Sequence, residues 1–419
     1  MPIHSLCARG PHCPSRQPAA VPSAKPAGTL LRDAARVWVA LASVYYALDL
    51  LRQFRDGFAD ATGRAFGEDF INYWSGAFLA LHHRAFDIYN YPVYHAFQQT
   101  VVGPGVGPYH YSYSPVLPLL SAPFALVPYV PALGAWLAAS WLAFLAALRA
   151  AAAGRGALLL GLAAPAVFIN AWSGQNGAWS AALIGGGLVL LDRRPVAAGI
   201  LFGLQIYKPQ LGLLLPIALA AGGHWRALLA AAATAMTLLI ASVAAFGIVT
   251  WGDYLRVLAI LREIVLEDGA SVWHRMVSVF VLARRLGADV PLAYLVQALV
   301  GAAAAGVVAL GWFRNSSPAG RNAALVAGSF LATPYLQDYD LVAGAIVAAW
   351  LTGPEVPDRL RPAGRAAALM MLLAVFAGFL AKLTGLQLGP LLFAPSFIVS
   401  SAMMLAPNAS AVSRRPAPP

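Results

Sequence analysis

The chain has 419 residues, 60% of them hydrophobic and only 11% charged, with a net charge of +11. A soluble domain carries about 25% charged residues because its surface faces water, so this composition excludes a soluble globular protein and fits one whose surface faces lipid. In a soluble protein the positive balance would point to nucleic acid. Here the basic residues lie between apolar runs and follow the membrane orientation rule, so no nucleic-acid partner is expected.

Residues 1–29 combine Pro, Ser, Ala and a few basic residues and read as a disordered, basic cytoplasmic tail. Within it, Cys7 and Cys13 are too widely spaced for a redox pair and have no ligand cluster around them. Residues 30–406 read as a single transmembrane domain, and 407–419 as a second disordered cytoplasmic tail. The first apolar run, 36–51, lies between Arg36 and Arg52 with no clear small-residue cleavage pattern after it, which predicts an uncleaved helix.

Further apolar runs lie near 130–148, 157–172, 177–191, 195–207, 210–221, 227–249, 290–312, 323–335, 341–352, 366–383 and 389–405. Together they predict an all-α, polytopic bundle of about twelve spans, several of them short. Pro209, Pro216 and Pro334 predict broken helices, which a membrane tolerates where protein or a water-filled cavity satisfies the backbone.

The basic residues choose the orientation. With the N-terminus inside, Arg149, Arg155, Arg193, Arg194, Arg226, Arg314, Arg321, Arg359, Arg361, Arg365, Arg414 and Arg415 all fall on the inner side. Most acidic residues then fall outside, among them Glu68, Asp69, Asp87, Asp253, Glu263, Glu267, Asp268, Asp338 and Asp340. Two long outer segments stand apart, 52–129 and 250–289, and are expected to carry short surface helices; the apolar stretch Pro115 to Val127 is read as one. A site is therefore expected at the outer membrane boundary, on loops held by a rigid scaffold.

The first outer loop reads Glu68-Asp69-Phe70-Ile71-Asn72-Tyr73-Trp74, then Asp87-Ile88-Tyr89, then Tyr111-Ser112-Tyr113-Ser114-Pro115. A carboxylate followed by an aromatic cluster suits a sugar: rings cover the apolar faces of a pyranose, and the carboxylate takes a proton from an acceptor hydroxyl. The plainer alternative is an interfacial aromatic belt, with Asp69 capping a surface helix.

These motifs resemble glycosyltransferase family 87 of the GT-C superfamily. Three later pieces carry the same resemblance: Gly174-Gln175-Asn176-Gly177, Tyr207-Lys208-Pro209, and Pro334-Tyr335 with Tyr339-Asp340. The resemblance spans roughly 36 to 350 and implies a GT-C type helical bundle in the cell inner (plasma) membrane, with catalysis on the periplasmic or extracellular side. It implies a hexosyltransferase whose donor is a polyprenyl-phosphate sugar, commonly mannose, and whose acceptor is an envelope glycolipid or glycan. It also implies that a carboxylate of the first outer loop serves as base, a role that falls on Asp69, with Glu68 beside it as the competitor.

The leaving phosphate needs positive charge or hydrogen-bond donors. Lys208, between two short apolar runs and beside a proline, is the candidate cation, against the alternative of a lysine snorkelling to the interface. Gln175, Asn176 and Tyr73 are candidate sugar contacts, against a polar loop and belt residues. His274 or Arg275 is a candidate for the carrier phosphate, unless the basic residues of that segment, with Arg284 and Arg285, pair with Glu263, Glu267 and Asp268. Asp340, like Asp338, either binds sugar or anchors a loop.

No metal-ligand spacing is visible, and neither a metal nor another cofactor is expected. No nucleotide-cradling Gly-rich motif is present, and Gly185-Gly186-Gly187 reads as close helix packing. Two other classes stay open: a transporter or flippase of lipid-linked sugars, and a non-catalytic assembly or export partner that only binds glycan.

Overall fold

The computed structural model describes residues 27–53, 58–152, 156–269 and 272–405. Cys7, Cys13, Arg155, Arg414, Arg415 and both terminal tails beyond these limits lie outside the described residues. Among the described residues there is no strand, only two isolated bridges, Ala59 to Ala65 and Met276 to Gln337.

In chain order the helices are α1 (Ala27–Gln53), α2 (Phe70–Leu81), α3 (Tyr91–Val102), α4 (Val116–Ala125), α5 (Tyr129–Ala151), α6 (Ala157–Ala163), α7 (Pro165–Trp172), α8 (Gly177–Leu190), α9 (Pro195–Leu204) and α10 (Leu215–Ala221). Then come α11 (Trp225–Phe246), α12 (Ile248–Leu261), α13 (Val279–Arg285), α14 (Val290–Phe313), α15 (Pro318–Ala332), α16 (Gly344–Thr352), α17 (Arg361–Leu373), α18 (Ala377–Thr384) and α19 (Gly389–Leu405).

Among the described residues, five stretches are long and apolar enough to cross a membrane: Arg32–Gln53, Tyr129–Ala151, Trp225–Phe246, Val290–Phe313 and Asp358–Thr384. Several other apolar runs form shorter or interrupted helices, for identifiable reasons. The run 157–172 breaks at Ala164, whose extended backbone precedes Pro165. Between the runs 195–207 and 210–221 the chain passes through two 3₁₀ turns, Gln205–Tyr207 and Pro209–Gly212, which flank Lys208. The helix before Pro334 ends at Ala332.

The core is built by α8, α15 and α16. Helix α15 is buried from Ala319 to Ala332, and α16 is buried from Gly344 to Leu351. Close approach is permitted by small residues: a Cβ on Gly185 of α8 would lie 2.3 Å from Ile346 of α16, and one on Gly187 2.3 Å from Phe202 of α9. At the other extreme, α11 buries only Ala227 and Ser242 and exposes Leu229, Met236 and Ile240, a surface suited to lipid.

The first loop folds into α2, α3 and α4. The stretch Pro115 to Val127 forms α4, which packs along α2 and holds it through Ser121 Oγ to the Tyr73 carbonyl (3.3 Å). Helix α8 separates the two ends of the bundle by about 20 Å at 1.5 Å per residue. At its start lie Gln175 and Asn176; past its end Asp192 takes both bonds of Arg321 Nη2 at 2.9 and 3.0 Å.

Candidate active site

Asp69 occupies the N-cap position of α2 but makes no capping bond with its side chain. The carboxylate turns instead toward the loop between α7 and α8, where Gln175 Nε2 donates to Oδ2. Two backbone turns create this arrangement. Gly67 and Glu68 both have positive φ, +76° and +42°, and the second is a conformation that a side-chain-bearing residue adopts at a cost of about 1 kcal/mol. Opposite them Gly174 has φ +58°, and a Cβ there would fall 2.1 Å from the Gly67 carbonyl oxygen. The two loops touch backbone to backbone, and Asp69 N donates to the Ser173 carbonyl at 3.3 Å.

From Asp69 a continuous hydrogen-bonded chain runs across the site. Gln175 passes from Asp69 to Tyr73, whose Oη donates to Gln175 Oε1 at 2.5 Å. Tyr73 Oη meets Tyr113 Oη at 3.0 Å, and Tyr113 Oη accepts from Asn176 Nδ2 at 2.9 Å. Asn176 Oδ1 accepts from Lys208 Nζ at 3.2 Å, and Lys208 Nζ donates to Asp340 Oδ1 at 2.5 Å. Asp340 Oδ2 in turn accepts from the Gln337 backbone N–H at 3.1 Å. Six residues selected from the sequence, Asp69, Tyr73, Gln175, Asn176, Lys208 and Asp340, are thus joined through one further residue, Tyr113.

Lys208 is only 1% exposed, and its ammonium is matched by Asp340 and lies 4.5 Å from the centre of the Tyr339 ring. The 250–289 segment reaches the same place through Arg275. Its backbone pairs with the late loop, Asp338 N to the Arg275 carbonyl at 2.9 Å and Val277 N to the Leu336 carbonyl at 2.8 Å. The guanidinium grips Asp338 through Nε (3.0 Å) and Nη2 (3.1 Å), reaches Ser173 Oγ at 3.2 Å, and lies 3.8 Å from Glu68. The His274 carbonyl accepts from Gln387 at 2.8 Å, and His274 lines neither of the two cavities described next. Arg284 and Arg285 stand over Trp273, 5.3 and 5.1 Å from its ring, and Glu267 pairs with Arg262.

Two cavities meet here. The polar one, about 200 Å³, is lined by Asp69, Tyr73, Gln175 and Arg275. The other, about 490 Å³, is lined by Lys208 and Pro209 and by Leu255, Leu258 and Leu261 of α12. Ser112, Tyr113, Leu261, Tyr335 and Tyr339 belong to both linings. Leu255 and Leu258 are also exposed on the outer surface of α12, so the larger cavity lies under an apolar face.

The charges around Asp69 are unequal in their satisfaction. Glu68 is paired with Arg64 at 3.4 Å and with Arg275 at 3.8 Å. Arg64 is itself held by Asp49 (2.7 Å) and Asp60 (3.1 Å), and Asp49 also takes the Trp172 indole N–H at 2.7 Å. Among the described residues Asp69 has no ion-pair partner within contact distance. Burial pushes its carboxyl above the ordinary carboxylate range, with Arg275 and the Gln175 hydrogen bond pulling the other way. Glu68 is pushed up to about 7, again by burial, against the pull of Arg275 and Arg64 and with a further push from Asp69.

The family model of glycosyltransferase family 87 matches residues 111–334, more than half of the chain. The chain belongs to glycosyltransferase family 87. Nothing matches it among curated proteins or among solved structures. The stretch matched by family 87 takes in Tyr113, Gln175, Asn176, Lys208 and Arg275; Asp69 precedes it and Asp340 follows it. This family 87 member is a glycosyltransferase with several apolar helices fit for a membrane, and its fold is all-helical among the described residues.

Three contributors to the site were not singled out in the sequence. Tyr113 was one of several tyrosines in a Tyr-x-Tyr pattern. Asp49 and Arg64 anchor the loop that carries Glu68 and Asp69; a carboxylate near the end of an apolar helix is itself a signal that Asp49 carried. The glycines of the Gln-Asn motif make a direct test possible. A Cβ on Gly177 would fall 2.0 Å from the Tyr339 carbonyl oxygen, so Gly177→Ala is expected to push apart α8 and the Asp338–Ala343 turn. The expected result is a lower unfolding temperature in detergent and at least tenfold less transfer; a variant matching the parent in both would show that the contact yields freely.

Proposed function

We propose that this glycosyltransferase moves a hexosyl group, with mannose as the family's default, from a polyprenyl-phosphate sugar to an envelope glycolipid or glycan. The chain would cross the plasma membrane about twelve times in a GT-C type bundle, with its site on the periplasmic or extracellular side. The observation that carries this reading is the Asp69 carboxylate, without an ion-pair partner among the described residues, in a polar, sugar-sized cavity that shares Tyr113 and Tyr339 with a larger one under an apolar helix face. The polar cavity would receive the hexose and the acceptor hydroxyl, and the larger one the start of the prenyl chain.

In the reaction Asp69 takes the proton of the acceptor hydroxyl, whose oxygen attacks the anomeric carbon from the face opposite the phosphate. The bond from the anomeric carbon to the phosphate oxygen breaks, both of its electrons leave with the prenyl phosphate, and the configuration inverts. Tyr73, Gln175, Asn176 and Asp340 would hold the substrate hydroxyls and the base in register. Lys208 and Arg275 would keep the buried carboxylates beside them charged and fixed. Glu68, tied to Arg64 and Arg275, is less suited to take a proton than Asp69.

The test is transfer of labelled hexose from a synthetic polyprenyl-phosphate sugar by the purified full chain, with product configuration read by NMR. Failure to consume any such donor, together with donor uptake into vesicles, would favour a flippase. The pH profile adds a second check. A base acts when ionised, so kcat/KM is expected to rise with pH through a value above the ordinary carboxylate range and to be lost below it. The Gln175 bond pulls Asp69 downward, so Gln175→Ala should move that acid limb to higher pH. A limb that stays in place would separate Gln175 from the base.

A further inference from the structure

We infer that the donor's phosphate is bound by Arg262 together with Ser114, at the mouth of the larger cavity, rather than by the buried cations Lys208 and Arg275. The inference rests on the polyprenyl-phosphate reading of the site and assigns the residues that recognise the carrier.

The argument starts from how the cations of the site are already used. Lys208 is enclosed and donates to Asp340 and Asn176. Arg275 donates to Asp338 and Ser173 and faces Glu68. A phosphate reaching either would have to displace buried carboxylates, which is costly unless the carboxylates find other partners. Arg262 is different. It lines the cavity beside Leu258, Leu261 and Leu266, yet its side chain is 63% exposed, and its ion-pair partner among the described residues is Glu267 at 3.2 Å. Glu267 has a second partner in Tyr294 Oη at 2.8 Å, so it keeps a hydrogen bond when Arg262 turns away.

Local backbone explains why Arg262 stands there. Helix α12 ends at Leu261 and passes into a π-helical turn, Arg262–Glu267. The i to i+5 bonding of such a turn brings residues five apart toward one face, which is how Arg262 meets Glu267, and turns of this kind recur at functional sites. In the lining of the same cavity, Ser114 is buried and its hydroxyl has no hydrogen-bond partner among the described residues. Buried hydroxyls are normally satisfied, so an unmet donor beside a cavity asks for an acceptor. A phosphate supplies acceptor oxygens for both Ser114 and the planar guanidinium fork, and the prenyl chain continues from it along Leu255 and Leu258 toward the surface of α12.

The experiment uses the full chain in nanodiscs with farnesyl phosphate as probe and farnesol as the control without phosphate, read by intrinsic fluorescence, alongside donor kinetics. Arg262→Gln should weaken farnesyl phosphate binding and raise donor KM by about tenfold or more, the range for losing a charge-assisted bond, with kcat within about twofold and farnesol binding unchanged. Ser114→Ala should do the same on a smaller scale, about threefold. Glu267→Gln, which frees Arg262, should leave donor KM unchanged or lower it. Farnesyl phosphate binding that Arg262→Gln leaves intact overturns the inference while leaving the proposed reaction standing. A parent protein that binds no farnesyl phosphate and consumes no donor removes both.

Discussion

Asp69→Asn is expected to reduce hexosyl transfer by about 10³-fold or more, within the range for loss of a positioned general base. Asparagine is isosteric and keeps a side-chain oxygen for Gln175, so the loop geometry and the unfolding temperature should change little. Donor binding should persist, because neither the apolar wall nor Arg262 is altered. The companion variant Glu68→Gln separates the two neighbouring carboxylates. Glu68 is engaged by Arg64 and Arg275, so its loss should lower stability while leaving more activity than Asp69→Asn. If instead Glu68→Gln is the silent enzyme and Asp69→Asn stays within tenfold of the parent, the proton acceptor has been misassigned.

Breaking the Lys208–Asp340 pair should have the largest effect on stability. Both side chains are almost fully enclosed, and removing one partner strands a buried charge, a loss of about 3–5 kcal/mol in comparable cases. Lys208→Met leaves Asp340 against the Gln337 backbone alone; Asp340→Asn leaves Lys208 with Asn176 and the Tyr339 ring. Each single variant should unfold well below the parent. The double variant Lys208→Met with Asp340→Asn should recover part of the loss, because no unpaired charge remains. Thermal unfolding in a mild detergent, read as a double-mutant cycle, measures the coupling. Additive losses would mean that the two charges are independently solvated.

Much of this site was legible in the sequence because the chain is so apolar. A lysine at a helix break is expensive in such a setting, so Lys208 stood out where it would have been ordinary in a soluble protein, whereas Gln175, Asn176 and Asp340 were marked by the motifs that resemble family 87. Their convergence follows from placing each at the same end of consecutive helices. Less legible was the choice of partners. From the sequence Arg275 had Glu263, Glu267 and Asp268 nearby, yet it pairs with Asp338, because a backbone bridge between Met276 and Gln337 lays the two segments side by side. Tyr113 could not be told from Tyr109 or Tyr111 by spacing; only packing puts its hydroxyl between Tyr73 and Asn176. Helix lengths were also hidden. The runs 157–172, 195–207 and 210–221 are predominantly apolar, and where proline interrupts them is visible, but whether the chain resumes as α-helix or 3₁₀ turn depends on neighbours. The π-helical turn at Arg262 has no signature in spacing at all.

The backbone contact between Gly67 and Gly174 has a consequence for how such an enzyme can diversify. With no side chain between the two loops, the base and the amide that holds it behave as one rigid piece, and substitutions there have nowhere to go. The leucines of α12 are tethered to nothing comparable: Leu255 and Leu258 face open space and can be exchanged for larger or smaller residues without disturbing that piece. On the proposed prenyl-linked donor, adaptation to carriers of different length or saturation should therefore be written on α12, and swapping that single helix between paralogues offers a way to transplant carrier preference while the reacting groups stay untouched.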